Sequence, residues 1–296
     1  MSSLSILEVI QRSADFLAKK GVPSPRLQVE LLLAHALSMP RMKLYLNFER
    51  PLSVAELDAV RSLVQRRGQR EPLQYIVGST SFCGLEMALN TQVLIPRPET
   101  ELLAERAWKF LQGCPAPAFS LDLGTGSGCL AIALASHVPA AEIHAADVSR
   151  EALEVAQRNA RTHALSERIR WHQGDFLAAV PAGMQFDLIV SNPPYIPTAR
   201  IATLEPEVRE HEPRGALDGG TDGLDFYRRL AAQGRSFLRP GGRVMVELDD
   251  DGAEATRAIF LREHWTIEAV EKDHNQTPRI LVAHLASENH DGPGQT

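Results

Sequence analysis

The sequence predicts an α/β fold: a mainly parallel sheet with helices on both faces, preceded by a small helical bundle and a short β-like patch. Three observations carry this. Strand and helix signals alternate from Phe119 onward. A glycine-rich turn, Asp122-Leu123-Gly124-Thr125-Gly126-Ser127-Gly128, joins the first of those strands to the helix that follows. Residues 1–75, by contrast, read as helices.

In chain order, Leu4, Leu7, Ile10, Ala14 and Leu17 fall at helical spacing. Ser24 followed by Pro25 reads as a helix start, because proline suits the first helical position. Ser53-Val54-Ala55-Glu56 reads as a capping box for a helix ending near Gly68. The β-like patch is Thr80–Cys83 and Glu86–Leu89, with Gly84 between its halves. Ile95-Pro96-Arg97-Pro98-Glu99-Thr100-Glu101 leads into a helix to about Leu111, and residues 112–118 form a Gly/Pro linker. Strands are then expected near 119–123, 142–147, 168–173, 186–191, 242–247, 265–271 and 279–285. Helices are expected near 128–136, 150–163, 223–237 and 251–263. Asp249-Asp250-Asp251 is placed to cap the last of these helices. The tail from Ser287 to Thr296 is polar and expected to be disordered.

The 296 residues allow one large domain or two, and 44% hydrophobic with 23% charged residues suits an ordinary globular chain. No apolar run approaches the roughly 20 residues that span a bilayer, and the start, Met1-Ser2-Ser3-Leu4, lacks a signal-peptide pattern. Cys83, Cys114 and Cys129 are scattered, which argues against a disulfide framework or a zinc site. A cytoplasmic monomer without membrane or metal partners is expected. Residues 1–112 carry 14 basic and 11 acidic side chains, whereas residues 113–296 carry 17 and 26. The acidic second part does not suit capture of nucleic-acid phosphates. Arg61, Arg66, Arg67 and Arg70 form a local basic group, read as a solvated helix face or as a docking surface for an acidic or RNA-associated partner.

The chemistry sits at strand ends, where α/β sheets bind ligands. Gly124-x-Gly126-x-Gly128 lets backbone approach a ligand closely. Its third glycine comes one residue earlier than in a dinucleotide fingerprint, which favours a nucleoside lacking phosphates. Asp147 ends the second strand, where a carboxylate can bind ribose hydroxyls. Asp175 and Phe176 end the third, placed to accept from an adenine amino group and to contact its ring. With Asp122, these carboxylates suit a cation, and S-adenosylmethionine is a cationic nucleoside. Its expected contacts are Gly124, Gly126, Gly128, Asp147, Asp175 and Phe176.

Asn192-Pro193-Pro194-Tyr195 follows the apolar run Asp187–Val190. Prolines have fixed φ and no N–H, so the loop is stiff and rich in acceptors. The Asn192 side-chain carbonyl and the Pro193 backbone carbonyl can accept both N–H bonds of a planar –NH2 group, with Tyr195 offering an apolar face. Asn192, Pro193 and Tyr195 are the expected catalytic residues. The pattern alone does not choose between a glutamine amide and the amino group of a base.

These motifs resemble the release factor glutamine methyltransferase family, also called HemK, over nearly the whole chain. The resemblance rests on Arg70–Ile76, Ile95–Glu101, Asp122–Gly128, Ser191–Ile196, Val208–Pro213 and Ala216–Gly220. It implies a helical N-terminal substrate-docking domain (1–75), a β-hairpin and linker helix (76–118), and a seven-stranded, Rossmann-like class I methyltransferase domain (119–286), before the tail (287–296). It implies S-adenosyl-L-methionine as donor and methylation of the glutamine in the Gly-Gly-Gln loop of class I peptide chain release factors. It places donor contacts on Gly124, Thr125, Gly126, Ser127, Gly128, Asp147, Phe176 and Asn192, and substrate contacts on Asn192, Pro193, Pro194 and Tyr195, with Arg97 and Glu101 ordering the catalytic loop. Glu247-Leu248-Asp249 departs from the family's frequent Glu-x-Gly. Alternatives are a glutamine methyltransferase for a large-subunit ribosomal protein, and an adenine-amino methyltransferase for DNA or RNA, which should carry a basic groove. A binding module that kept the fold would need neither motif.

Overall fold

A computed structural model describes residues 4–285. The tail expectation lies outside them. The chain divides into two compact units, one of residues 1–79 with 204–211 and one of residues 80–203 with 212–296.

The first unit is helical: α1 (Ile6–Lys19), α2 (Pro25–Ala36), α3 (Arg41–Tyr45), α4 (Val54–Gly68), α5 (Leu73–Val77) and the distant α9 (Pro206–His211). Its core gathers Ile6, Ile10 and Leu17 of α1, Val29, Leu32 and Leu33 of α2, and Val60 and Val64 of α4. Both α1 and α4 start with capping boxes, Ser5–Glu8 and Ser53–Glu56, which satisfy amide groups the first turn would otherwise leave open. The Ser5 box was readable in the sequence and was not singled out there. The helix expected at Ser24-Pro25 starts there, with Ser24 at the N-cap, although its backbone is left-handed and its side chain makes no capping bond.

The basic group is largely neutralised within this unit. Arg61 pairs with Asp58 and Arg66 with Glu71, while Arg67 and Arg70 both hold Glu207 of α9, at 2.7 and 2.6 Å. The buried Arg67 also donates to Gln28. The group is therefore neither a purely solvated face nor a free cationic patch. Burial alone would raise the Glu207 carboxyl, but hydrogen bonds from Arg70 and Arg67 outweigh it and hold the pKa at about 2, against an ordinary 4.5. A carboxylate depressed on folding stabilises fully above pH 4.5 and loses that stabilisation as pH falls towards 2. Glu207→Gln is thus expected to cost about 3 kcal/mol at pH 7. Urea unfolding of variant and wild type should differ at pH 7 and converge progressively below pH 4.5.

The second unit opens with a hairpin, β1 (Ser79–Phe82) and β2 (Leu85–Ala88). Its two-residue turn, Cys83-Gly84, has positive φ at both positions, matching the twist of a tight hairpin. Then come α6 (Pro98–Gln112), β3 (Phe119–Leu123), α7 (Cys129–His137), β4 (Glu142–Asp147), α8 (Arg150–Thr162), β5 (Ile169–Gln173) and β6 (Phe186–Ser191). After the excursion to α9, the unit continues with α10 (Asp225–Gln233), β7 (Leu238–Glu247), α11 (Ala253–Arg262), β8 (Trp265–Lys272) and β9 (Pro278–Leu285). The seven-stranded sheet has the order β5-β4-β3-β6-β7-β9-β8. The pairs from β5 to β7 are parallel, whereas β9 runs antiparallel between β7 and β8. That reversal follows from the short β8–β9 connection, which leaves no room for a crossover helix.

Two cores flank the sheet. Leu188 and Val190 pack on one face with Leu103 of α6 and Leu130 and Leu134 of α7. Ile189, between them, packs on the other with Leu230 of α10 and Phe260 of α11. Asp249–Asp251 do not cap α11, whose N-cap is Gly252 without a side-chain bond. Asp249 instead pairs with Arg200 and Asp250 with Arg279. The order of strands reverses between β3 and β6, so a crevice opens beyond their carboxyl ends.

Candidate active site

A cavity of about 510 Å³ occupies that crevice, a size suited to a small-molecule cofactor. Gly124 and Gly126 line it from the turn after β3, Asp147, Val148 and Ser149 from the end of β4, Asp175 and Phe176 from the end of β5, and Asn192 and Pro194 from the end of β6. Gln92–Leu94, ahead of α6, and Phe226 and Arg229 of α10 also line it, none of them singled out in the sequence, as do Pro213, Gly215 and Ala216.

Gly124 and Gly126 have φ of +77° and +54°, and a β-carbon built on either meets nothing within 4 Å. They leave a strip of bare backbone against open space, which a ligand can approach closely. Thr125, Ser127 and Gly128 are placed differently. The Thr125 hydroxyl donates to Asp122 at 2.6 Å, and the Ser127 carbonyl accepts from Asn159 at 2.9 Å. A β-carbon on Gly128 would come within 2.9 Å of the Ala156 methyl, so this glycine serves the approach of α7 to α8. These three residues shape the turn from behind and do not line the cavity.

Asp122 is fully buried and likewise lies behind the turn. It accepts from Thr125 and from the Ala131 amide, and burial pushes its carboxyl up to about 7. Asp147 reaches the cavity, with its two oxygens accepting from the Gly126 and Ser149 amides, each at 2.9 Å. Burial raises its pKa and those amide bonds oppose the rise. Each oxygen retains a further lone pair for a hydroxyl. Asp175 also lines the cavity, and its exposed carboxylate is clamped by Arg229 at 2.8 and 3.1 Å, which lowers its pKa. The same guanidinium lies 4.4 Å from the Phe176 ring centroid, and Phe226 meets that ring edge-on at 5.0 Å. Phe176 has φ +58°, an uncommon region for an aromatic residue.

The Asn192 loop is anchored from several sides. The Ser191 hydroxyl donates to the Leu123 carbonyl at 2.6 Å, fixing the loop's root beside the glycine turn. The Asn192 side-chain nitrogen donates to Thr100 Oγ1 at 3.1 Å, and Thr100 donates onward to Glu247 Oε2 at 2.6 Å. Tyr195 donates to Glu247 Oε1 at 3.3 Å. Glu247 is 2% exposed, and burial lifts its carboxyl to about 7. Pro193 is buried and Tyr195 half-buried. Burial, then the negative charges of Glu247 and Asp249, push the Tyr195 phenol well up, so it remains protonated.

The block at Ala216–Gly223 has a physical role here. The Ile196 and Thr198 amides donate to the Leu217 and Gly220 carbonyls, and the Gly219 amide returns a bond to Ile196. A β-carbon on Gly219 would lie 2.8 Å from the Pro194 oxygen, and one on Gly223 would lie 2.3 Å from the Tyr195 oxygen. Only glycine permits this approach. Arg97 pairs with the buried Glu212 at 2.5 Å, at the base of the same connection. Glu101 takes a different part: it accepts from the Cys83 amide at 2.7 Å and so braces the hairpin turn rather than the Asn192 loop.

Among the described residues, no group of three His, Cys, Asp or Glu side chains is arranged to hold a metal, and no helix is long and apolar enough to cross a membrane. Thr100 and Glu247 were missed as site residues, although Thr100 sits inside the quoted Ile95–Glu101 stretch. Neither periodicity nor spacing could reveal that they meet Asn192.

Comparisons with known proteins agree with this architecture. Residues 8–78 match the PrmC N-terminal domain and residues 108–204 the methyltransferase small domain. The chain is similar to a release factor glutamine methyltransferase of Geobacter sulfurreducens, 46% identical across 94% of this chain and 95% of the relative. It is also 46% identical to one of Chlorobaculum tepidum, over 94% and 96%. Among solved structures, a methyltransferase from Pyrococcus furiosus shares the fold at a TM-score of 0.51 and 19% identity, covering 74% of this chain and 97% of that one. Identity at this level over nearly full length, joined to a bare glycine turn facing an acceptor-bearing Asn-Pro-Pro-Tyr loop, places the chain in the release factor glutamine methyltransferase family and makes it an S-adenosylmethionine-dependent enzyme.

Proposed function

We propose that this protein methylates the side-chain amide nitrogen of the glutamine in the Gly-Gly-Gln loop of class I peptide chain release factors, acting in the cytoplasm. The observation that carries this reading is the orientation of Asn192. Its –NH2 is occupied by Thr100, which leaves its carbonyl oxygen to accept from a substrate. Relatives matched over 94% of the chain are named release factor glutamine methyltransferases.

The cavity suits the donor. Gly124 and Gly126 give it backbone contact, Asp147 takes its ribose hydroxyls, and Phe176 with Phe226 covers its adenine. Bound there, S-adenosylmethionine supplies a methyl carbon made electrophilic by its sulfonium. The chain's own residues prepare the acceptor. Asn192 Oδ1 and the Pro193 carbonyl each accept one N–H of the glutamine carboxamide, and Tyr195 flanks its plane. An amide nitrogen is a poor nucleophile because its lone pair is delocalised. Two acceptors raise electron density on that nitrogen and stabilise the positive charge it develops. Fixed position supplies much of the remaining advantage. The surplus proton leaves to water after transfer, so no side chain is assigned as base. Arg97 steadies the loop through Glu212, and the helical N-terminal unit serves as a docking domain for the protein substrate.

The test is a transfer assay with radiolabelled donor and, in parallel, release factor, large-subunit ribosomal proteins, DNA and tRNA. Label is expected on the release factor and lost when its loop glutamine is replaced. Label confined to ribosomal protein or to nucleic acid would reject the assignment.

A further inference from the structure

Glu247 is a buried carboxylate that the transfer chemistry does not use. It sits at the end of β7 with 2% exposure, and among the described residues no cation lies within ion-pair distance of it. Such a group is costly to bury. Its two oxygens are taken by hydroxyls, from Thr100 at 2.6 Å and Tyr195 at 3.3 Å. Both hydroxyls belong to elements of the acceptor site: Thr100 lies in the first turn of α6, 1% exposed, and Tyr195 lies in the Asn192 loop.

We infer that Glu247 and Thr100 are positioning residues that fix which end of the Asn192 carboxamide faces the substrate. The argument is one of hydrogen counting. Above its pKa of about 7, the Glu247 carboxylate can only accept. The single Thr100 hydrogen must therefore point to Glu247, which leaves only lone pairs on Thr100 Oγ1 for Asn192. A lone pair selects the –NH2 end of Asn192, as the 3.1 Å contact has it. The carbonyl end is then turned away from Thr100 and available to a substrate N–H. If Thr100 instead donated to Asn192, the carboxamide would rotate by half a turn and present –NH2 to the substrate's –NH2. That pairing is donor against donor and cannot activate an amide. Glu247 also holds the Tyr195 hydroxyl, so one carboxylate sets the direction of two side chains in the acceptor loop.

This inference rests on the proposed glutamine transfer, and the test separates the two. Thr100→Val keeps the shape and removes the relaying hydroxyl, Thr100→Ser restores it, and Glu247→Gln replaces an acceptor-only group by one that can also donate. Steady-state transfer to release factor and calorimetric binding of S-adenosylmethionine are measured for each, with thermal melting to show folding. Thr100→Val is expected to lose about tenfold or more in kcat, with donor affinity within about twofold of wild type. Thr100→Ser should recover most of that loss, and Glu247→Gln should fall between them. A side chain that merely fills space would show the same kcat in the valine and serine variants. Unaltered kcat in folded Thr100→Val, or, should that variant not fold, unaltered kcat in Glu247→Gln, overturns the inference alone. Failure of the wild-type enzyme to label release factor removes the substrate assignment and this inference with it.

Discussion

Replacing Asn192 by alanine is expected to lower kcat for release-factor methylation by about 10²–10³-fold while the enzyme still binds its methyl donor. The size follows from what the side chain contributes. Its carbonyl accepts an N–H that grows more acidic as positive charge develops on the substrate nitrogen. That interaction strengthens towards the transition state, and losing it appears in kcat more than in binding. The Leu123 carbonyl and Ser191 hydroxyl still anchor the loop's root in the variant, so the backbone is retained. Single-turnover transfer at saturating donor, beside calorimetric titration of donor alone, reads the two effects separately. Equal losses in both would show that Asn192 holds the donor and does not orient the acceptor.

Asp147→Ala is expected to do the opposite. Its carboxylate accepts from the Gly126 and Ser149 amides and still offers lone pairs to a ribose. Removing it withdraws charged acceptors from the ligand and from the glycine turn, at about 1.5–3 kcal/mol. That corresponds to a rise of about 10- to 100-fold in the dissociation constant of the donor. Turnover should recover substantially at high donor concentration, because Asp147 does not touch the acceptor loop. A donor affinity within twofold of wild type would contradict this assignment.

The sequence was most informative where local chemistry decides structure. Each strand of the large sheet overlaps its expected range, although β7 begins at Leu238, ahead of the expected 242; a short run such as Asp187–Val190, bounded by turn residues, suits a strand buried on both faces. Capping at Ser53 and the turn at Gly84 were equally local. The reading was weaker where a side chain's partner lies far along the chain. Arg67 and Arg70 look like free charges until α9 returns with Glu207, some 140 residues later. Asp175 looks free until Arg229 of α10 meets it. Glu101 looks like a neighbour of the catalytic loop until the hairpin turn takes its carboxylate. Thr100 and Glu247, 147 residues apart, converge only where α6 packs against β7. Glycine motifs mislead in their own way: spacing alone could not tell the open faces of Gly124 and Gly126 from the crowded face of Gly128.

Gly219 and Gly223 carry a consequence for how sequence change in this protein should be interpreted. Each lies so near a carbonyl of the Pro194–Tyr195 segment that even a methyl group would collide with it. Inheritance of an inactive allele could therefore trace to a position that contributes no functional group whatever. A survey of damaging variants would assign such sites to the reaction, when what they donate is vacancy.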